Sequence, residues 1–194
     1  YELKAIYKNS DKKLVQATLN NNQVIAEKAS GSDAGGFAGH LQSNNIQYKI
    51  YNLMVQNEES VNQDVVAYSN AGGIIGYLYL GNMTSEIKKC KVSKLAIQAV
   101  SSGSGGMIGC VASWSATTLN ITDSIVDDTK VQGGNNTTTD TPGVGGILGK
   151  LNNYPPIVIQ NCNVKESTIN DSGLMKGYAG GFLGRGTGEK GCKV

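Results

Sequence analysis

The sequence contains little charge, a single histidine and no long hydrophobic run, and each shortage excludes a class of protein. Only 16% of the 194 residues are charged, and 17 Lys and Arg against 15 Asp and Glu leave a net charge of +2. Nucleic-acid binding needs a strongly basic patch, so we expect no nucleic-acid partner. No apolar run approaches the roughly 18–20 residues of a membrane helix, so we expect no membrane span in this segment.

Metal-binding motifs are missing as well. His40 is the one histidine, there is no H-E-x-x-H motif, and the four cysteines form no C-x-x-C pair. Protein zinc sites need clustered histidine, cysteine or carboxylate ligands at characteristic spacings. We therefore predict no metal ligand and no cofactor.

Glycine, by contrast, is abundant, with 26 residues, and much of it falls in a repeated block. The pattern is small-Gly-Gly-apolar-apolar-Gly-x-apolar, and the glycine pairs are 37, 33, 40 and 35 residues apart. Such self-similarity is the sequence signature of a repeat architecture. The copies read AGGFAGHL at 34–41, AGGIIGYL at 71–78, SGGMIGCV at 104–111, VGGILGKL at 144–151 and AGGFLGRG at 179–186.

A second block lies between the glycine blocks, with the pattern apolar-x-x-small-x-apolar-x4-apolar. Its local alternation is typical of half-buried strands, and Asn, Ser, Gly and Asp dominate the joins, as in turns. The copies contain Leu14, Ala17, Leu19 and Val24; Ile87, Cys90, Val92 and Ile97; Ile121, Ser124, Val126 and Val131; and Ile159, Cys162, Val164 and Ile169. A weaker copy contains Tyr48, Ile50 and Val55, and a further copy begins at Cys192.

These repeats predict an all-β parallel β-helix of about five coils, with two or three short strands in each coil. Equivalent positions would then stack at roughly 4.8 Å. The stacked glycines would allow a sharp bend or a close approach of backbones where any Cβ would clash. We assign this architectural role to Gly35, Gly36, Gly39, Gly72, Gly73, Gly76, Gly105, Gly106, Gly109, Gly145, Gly146, Gly149, Gly180, Gly181 and Gly184.

GGxxG strands that alternate with I-x-x-C-x-V strands resemble the GLUG-motif repeats of bacterial cell-surface proteins. The motif reads GGFAG, GGIIG, GGMIG, GGILG and GGFLG, and the resemblance covers nearly the whole chain. Such repeats occur in large adhesin-like proteins and in the non-catalytic regions of some immunoglobulin A1 proteases. The resemblance implies an extracellular parallel β-helix and no particular activity.

The candidate catalytic residues are few. His40 occupies a repeat position that also holds Tyr, Cys, Lys and Arg, which indicates an outward-facing surface position rather than a catalytic base. Asp123, Asp127 and Asp128 form the one tight acidic cluster. Their equivalents in other repeats are not acidic, so a solvated turn is the simpler interpretation. We expect no catalytic residue, and hence no enzyme.

The repeat pattern predicts that three of the cysteines share one column, namely Cys90, Cys162 and Cys192. One interpretation is an inward ladder of small buried thiols. The alternative is a disulfide between Cys162 and Cys192 on neighbouring coils, which an oxidising exterior would permit. The sequence leaves both open.

Two functions are favoured over a third, a protein-binding platform that would use the longer loops at 56–70 and 133–143. The first is a structural or adhesive repeat segment, a stalk or filament-forming scaffold, of a larger cell-surface protein. The second is a carbohydrate-binding or carbohydrate-active β-helix that uses aromatic side chains on one flank. The candidate aromatics are Tyr77, Tyr79, Trp114 and Tyr154.

The expected organisation follows from the repeats. We expect residues 1–194 to form a single β-helical domain and to be a fragment of a longer chain. Its partners would be further repeats or domains of the same chain, head-to-tail subunits, or a host protein or glycan.

Overall fold

The computed structural model is all-β, with parallel strands stacked into a β-solenoid of about four turns. It describes residues 2–8, 13–20, 23–26, 31–43, 47–59, 64–115, 117–133, 142–153, 155–170, 177–186 and 192–193. The predicted parallel β-helix is confirmed, and the number of turns is slightly smaller than the number of glycine blocks suggested. No helix in these described ranges is long and apolar enough to cross a membrane.

The strands form five sheets that run along the solenoid. Sheet A contains β1 (Glu2–Lys8), β2 (Lys13–Asn20), β7 (Leu53–Gln56), β12 (Lys91–Ser93), β17 (Ile125–Asp127) and β22 (Asn163–Lys165). Sheet B contains β3 (Val24–Ala26), β8 (Val65–Ala67), β13 (Ala96–Ala99), β18 (Lys130–Gly133) and β23 (Thr168–Asn170). Sheet C contains β4 (Ala34–Gly35), β9 (Ala71–Gly72), β14 (Gly103–Gly105), β19 (Gly143–Gly145) and β24 (Tyr178–Gly180).

Two further sheets complete each coil. Sheet D contains β5 (Ala38–Ser43), β10 (Ile75–Leu80), β15 (Ile108–Ser113), β20 (Leu148–Asn152) and β25 (Leu183–Gly186). Sheet E contains β6 (Lys49–Tyr51), β11 (Ser85–Lys88), β16 (Leu119–Thr122), β21 (Ile157–Gln160) and β26 (Cys192–Lys193). The chain passes through one strand of each sheet in turn, while β1 pairs antiparallel with β2 at the edge of sheet A.

Each coil therefore contains five strands, and the prediction of two or three was wrong. The second repeat block spans three strands, because single residues in left-handed backbone turn the chain from sheet E to sheet A and again from sheet A to sheet B. The residues at the corner between sheets E and A are Asn52, Lys89, Asp123 and Asn161, with φ of 56°, 54°, 53° and 54°. The hydrogen-bond ladder continues through the corner, where Lys89 N–H donates to Thr122 O at 3.1 Å. A corner of this kind leaves the hydrophobic pattern unbroken, so the pattern cannot reveal it.

Columns of apolar residues fill the interior. Sheets E, A and B each supply one inward column, and equivalent residues are direct partners in parallel register. The columns are Ile50, Ile87, Ile121 and Ile159; Val55, Val92, Val126 and Val164; and Val65, Ile97, Val131 and Ile169. In the middle coils these side chains are almost fully buried; Val92 and Val126, for example, are both 0% exposed.

The weaker copy of the second block has a different register from the predicted one. Val55, not Ile50, pairs with Val92, and Leu53 takes the place assigned to Tyr48. The fourth position is Val65, which pairs with Ile97. The residues between Val55 and Val65 therefore fall inside the block in sequence.

The glycine pairs lie one above another. Gly35, Gly72, Gly105, Gly145 and Gly180 are successive partners in sheet C. The turn that follows them is held to the next coil by main-chain hydrogen bonds; Ile74 O, for instance, accepts from the N–H groups of both Phe37 and Ala38 at 3.0 Å. A GGxxG block is thus a strand, a tight turn and the start of a second strand.

Candidate functional site

The outer face of sheet D carries His40 and two of the candidate aromatics, Tyr77 and Tyr79. One outward column contains His40, Tyr77, Cys110, Lys150 and Arg185. Two residues further along each strand, a second column contains Gln42, Tyr79, Ala112 and Asn152. Alternation along a strand places both columns on one face.

The prediction that the His40 column is a surface position is wrong for its middle members. Cys110 is 1% exposed and Lys150 is 2% exposed. The reason is that sheet D packs closely against sheet C: a Cβ built on Gly103 would lie 3.0 Å from Lys150 Cβ. The column therefore lies in the corner between two sheets, and His40, near one end of the solenoid, remains exposed.

His40 belongs to a hydrogen-bonded network. Its Nδ1 lies 2.8 Å from Asp33 Oδ2, and its Nε2 lies 3.1 Å from Gln42 Oε1. Asp33 Oδ1 accepts from Asn70 Nδ2 at 2.7 Å and from Asn70 N at 3.2 Å. The imidazole also stacks on Tyr77, with ring centroids 4.6 Å apart.

This network contains a carboxylate and a histidine but does not form a catalytic triad. A nucleophile would have to face Nε2, and the group there is the amide oxygen of Gln42, which cannot act as one. Tyr77 does not supply a reactive group either. Burial, and then the neighbouring Cys110 and Asp33, raise the pKa of Tyr77 to about 12. The network instead ties neighbouring coils together.

Two members of the acidic cluster, Asp127 and Asp123, form ion pairs. Asp127 Oδ2 lies 3.2 Å from Lys91 Nζ, and Asp127 Oδ1 lies 3.4 Å from Lys165 Nζ. Partial burial raises the pKa of the Asp127 carboxyl, but the two lysines outweigh burial, so the pKa lies below its ordinary value. Asp123 pairs with Lys88 at 3.7 Å. Carboxylates paired in this way connect coils.

A polar cleft of about 610 Å³ borders this cluster on the outer side of sheet A. Acidic and basic side chains alternate around it, among them Glu58, Lys94 and Asp128. Across all the residues that the structure describes, no group of three or more His, Cys, Asp or Glu side chains could hold a metal ion.

Cysteine and serine alternate in one column at the corner between sheets E and A. Cys90 Sγ donates to Lys88 O at 3.4 Å, Ser124 Oγ donates to Thr122 O at 2.8 Å, and Cys162 Sγ donates to Gln160 O at 3.4 Å. Each side chain thus binds the carbonyl two residues before it. Burial raises the pKa of the Cys90 thiol to about 11, which keeps it protonated and unreactive at neutral pH.

Cys192 does not belong to that column. It pairs with Ile157 in sheet E, five positions before Cys162 along the repeat, and Cys162 is a free cysteine. The register behind the suggested Cys162–Cys192 disulfide is therefore wrong. The sequence Cys192-Lys193-Val194 resembles Cys90-Lys91-Val92, but Cys192 and Lys193 lie in sheet E, whereas Lys91 and Val92 lie in sheet A.

The aromatic candidates separate into two places. Tyr79 and Trp114 line one cleft of about 270 Å³, together with Leu80, Gly81, Asn82 and Ser115. Tyr77 is stacked on His40 instead, and Tyr154 lies outside the described residues. Trp114 is 78% exposed, whereas Tyr79 is half-buried.

Hydroxyl groups on either side of Trp114 hold its turn in place, and the repeat pattern did not identify them. Ser113 Oγ donates to Leu80 O at 2.9 Å, and Ser115 Oγ and Thr117 Oγ1 donate to Gly81 O at 2.6 and 2.8 Å. The spacing of Ser113, Ser115 and Thr117 around the one tryptophan is the signal that could have found them.

Comparisons with family models, with curated proteins and with solved structures find no match to this chain.

Proposed function

We propose that this chain is a non-catalytic structural or adhesive scaffold segment of an extracellular, cell-surface protein. The observation that carries the proposal is that, apart from the antiparallel β1–β2 pair, the strands of all five sheets stack in parallel register along the solenoid. Each coil is therefore held to the next by main-chain hydrogen bonds on every side and at its corners. Such a stack keeps a fixed length and resists extension, as a stalk or spacer must.

The polar side chains support the same role. Asp33 joins two coils through His40 and Asn70, and Asp127 joins three through Lys91 and Lys165. These groups are engaged in stabilising the stack. The resemblance of the GGxxG blocks to GLUG-motif repeats favours a cell-surface location.

Further coils of the same chain or head-to-tail subunits would be the partners in this proposal. Phe37 is 50% exposed, although Ile74 in the same column is fully buried. An apolar side chain at such a position is the kind that another coil would cover.

Single-molecule force spectroscopy tests the scaffold role. We expect stepwise extension in which each step releases one coil of 33–40 residues, as the glycine spacing gives. At about 3.5 Å per residue each step would add roughly 12–14 nm of contour length. Featureless extension at low force would contradict a mechanical role.

The non-catalytic part of the proposal is tested separately by incubation with polysaccharides and model esters. We expect no turnover. Turnover that disappears in His40→Gln, with the fold intact by circular dichroism, would show that the Asp33–His40 pair is catalytic. That result would overturn the proposal.

A further inference from the structure

The cleft between Tyr79 and Trp114 has the features of a small binding site. Trp114 exposes 78% of its surface, which is unusual for the largest apolar side chain. Tyr79 comes from the preceding coil and reaches the same cleft, whose buried wall is Leu80. Two aromatic side chains on neighbouring coils therefore face one space.

The turn that carries Trp114 is held by side-chain hydrogen bonds. Three hydroxyl groups anchor it to two carbonyls of the preceding coil, and Ser115 Oγ also lies 2.7 Å from Thr117 Oγ1. Ser113 and Thr117 are buried, at 0% and 8% exposure. An exposed tryptophan on an anchored turn favours binding, because less backbone freedom is lost when a ligand binds.

The lining of the cleft indicates the chemistry of the ligand. The described residues that line it are Tyr79, Leu80, Gly81, Asn82, Trp114 and Ser115, and they include no Asp, Glu, Lys, Arg or His. A charged ligand would find no opposite charge there. Aromatic faces attract the weakly positive C–H faces of a ring, while the Asn82 amide can hydrogen-bond to hydroxyl groups at its edge.

The volume of the cleft suits a small ligand. Pockets for drug-sized ligands measure about 300–1,000 Å³. The cleft of about 270 Å³ lies just below that range. It can accommodate one or two rings of a longer chain that continues into solvent.

We propose that Tyr79, Asn82 and Trp114 form a binding site for a neutral saccharide chain, in which a pyranose ring stacks on Trp114. This site goes beyond the scaffold role and needs no catalysis. Tyr77 is not part of it, because its ring is stacked on His40.

The test uses the one tryptophan as its own reporter. The protein is titrated with cellohexaose, maltohexaose, mannohexaose and N-acetylglucosamine hexasaccharide, and iodide quenching of tryptophan fluorescence is measured. We expect at least one of them to protect Trp114 from iodide, with a Kd below about 1 mM. Tyr79→Ala keeps the reporter and should weaken that protection by about tenfold.

Calorimetry with the protective oligosaccharide completes the test. Trp114→Ala should abolish measurable binding, and Trp114→Phe should retain part of it. Tyr178→Ala is the matched control, because Tyr178 is a 55% exposed aromatic on sheet C outside the cleft. If no oligosaccharide in the panel protects Trp114, or if Tyr178→Ala weakens binding as much as Trp114→Ala, the proposal is wrong. Protection by peptides rather than saccharides would also overturn it.

Discussion

Gly73 lies against Val92 across the interior of the solenoid. A Cβ built on Gly73 would be 2.6 Å from Val92 Cγ1 and 3.1 Å from Val92 Cγ2, and only 2.3 Å from Gly106 O of the next coil. The turn between sheets C and D thus touches the inward valine of sheet A directly. The same relationship recurs between Gly36 and Val55, Gly106 and Val126, and Gly146 and Val164.

The first and third glycines of each block meet backbone instead. A Cβ on Gly105 would lie 1.8 Å from Ile108 O, inside its own turn. A Cβ on Gly149 would lie 2.5 Å from Ser104 N of the preceding coil. One glycine is therefore needed for the turn, one for contact with sheet A, and one for the close approach of sheets C and D.

The corner residue Lys89 offers a stabilising substitution. Its φ of 54° is costly for lysine, whereas Asn52 and Asn161 hold the equivalent corners with a side chain that tolerates this backbone. Lys89→Asn should therefore raise the free energy of unfolding by about 0.5–1 kcal/mol, measured by urea denaturation. Lys49→Asn is the control, because Lys49 is an exposed residue within β6, and it should not stabilise the protein.

Asp127 should make stability depend on pH. Its pKa is lowered in the folded state by Lys91 and Lys165, so its ionised form is favoured by folding. The stabilisation is complete above the ordinary pKa of about 3.9 and is lost as the pH falls through the lower folded value. Asp127→Asn should cost about 0.5–1 kcal/mol at neutral pH and almost nothing near pH 2.

Denaturation of the wild type and Asp127→Asn at several pH values would check this dependence. The other carboxyl groups titrate in both proteins, so the difference between the two unfolding free energies isolates Asp127. A difference that stays constant down to pH 2, or one that grows as the solution becomes more acidic, would show that the two lysines do not stabilise the carboxylate.

Ser124 tests the hydroxyl and thiol column. Its Oγ accepts from the N–H of buried Cys90 at 3.1 Å while donating to Thr122 O. Ser124→Ala should cost about 1–3 kcal/mol, because both buried main-chain groups lose a partner. Ser124→Cys should cost less, since Cys90 and Cys162 bind the corresponding carbonyls. Equal losses in the two variants would mean that packing alone determines the effect.

The fold could be predicted from the sequence because the glycine blocks meet a steric requirement that recurs in every coil. Gly35 and Gly72 recur in register because each coil needs a bend at the same place. The division of each coil into five strands could not be predicted, because the corners at Asn52 and Lys89 change φ at one residue without interrupting the apolar pattern. Local alternation shows which residues face inward but does not show where the chain turns.

The functional residues were less predictable. The repeat position of Lys150 predicted an exposed side chain, yet the close approach of sheets C and D buries it. That approach depends on glycines in other strands, such as Gly103. Cys192 was assigned by its neighbours in sequence, whereas its partner Ile157 is defined by position around the coil. Tyr79 and Trp114 share a cleft only because their coils are adjacent.

The most direct test of the account compares the unfolding free energies of Gly73→Ala and Gly181→Ala. Gly181 occupies the same position of its coil as Gly73, yet a Cβ built on it meets no atom of the described residues within 4 Å. Gly73→Ala should lose more than about 3 kcal/mol or fail to fold, whereas Gly181→Ala should remain within about 0.5 kcal/mol of wild type. Equal effects of the two substitutions would contradict the claim that the stacked glycines are required by close contact between neighbouring coils.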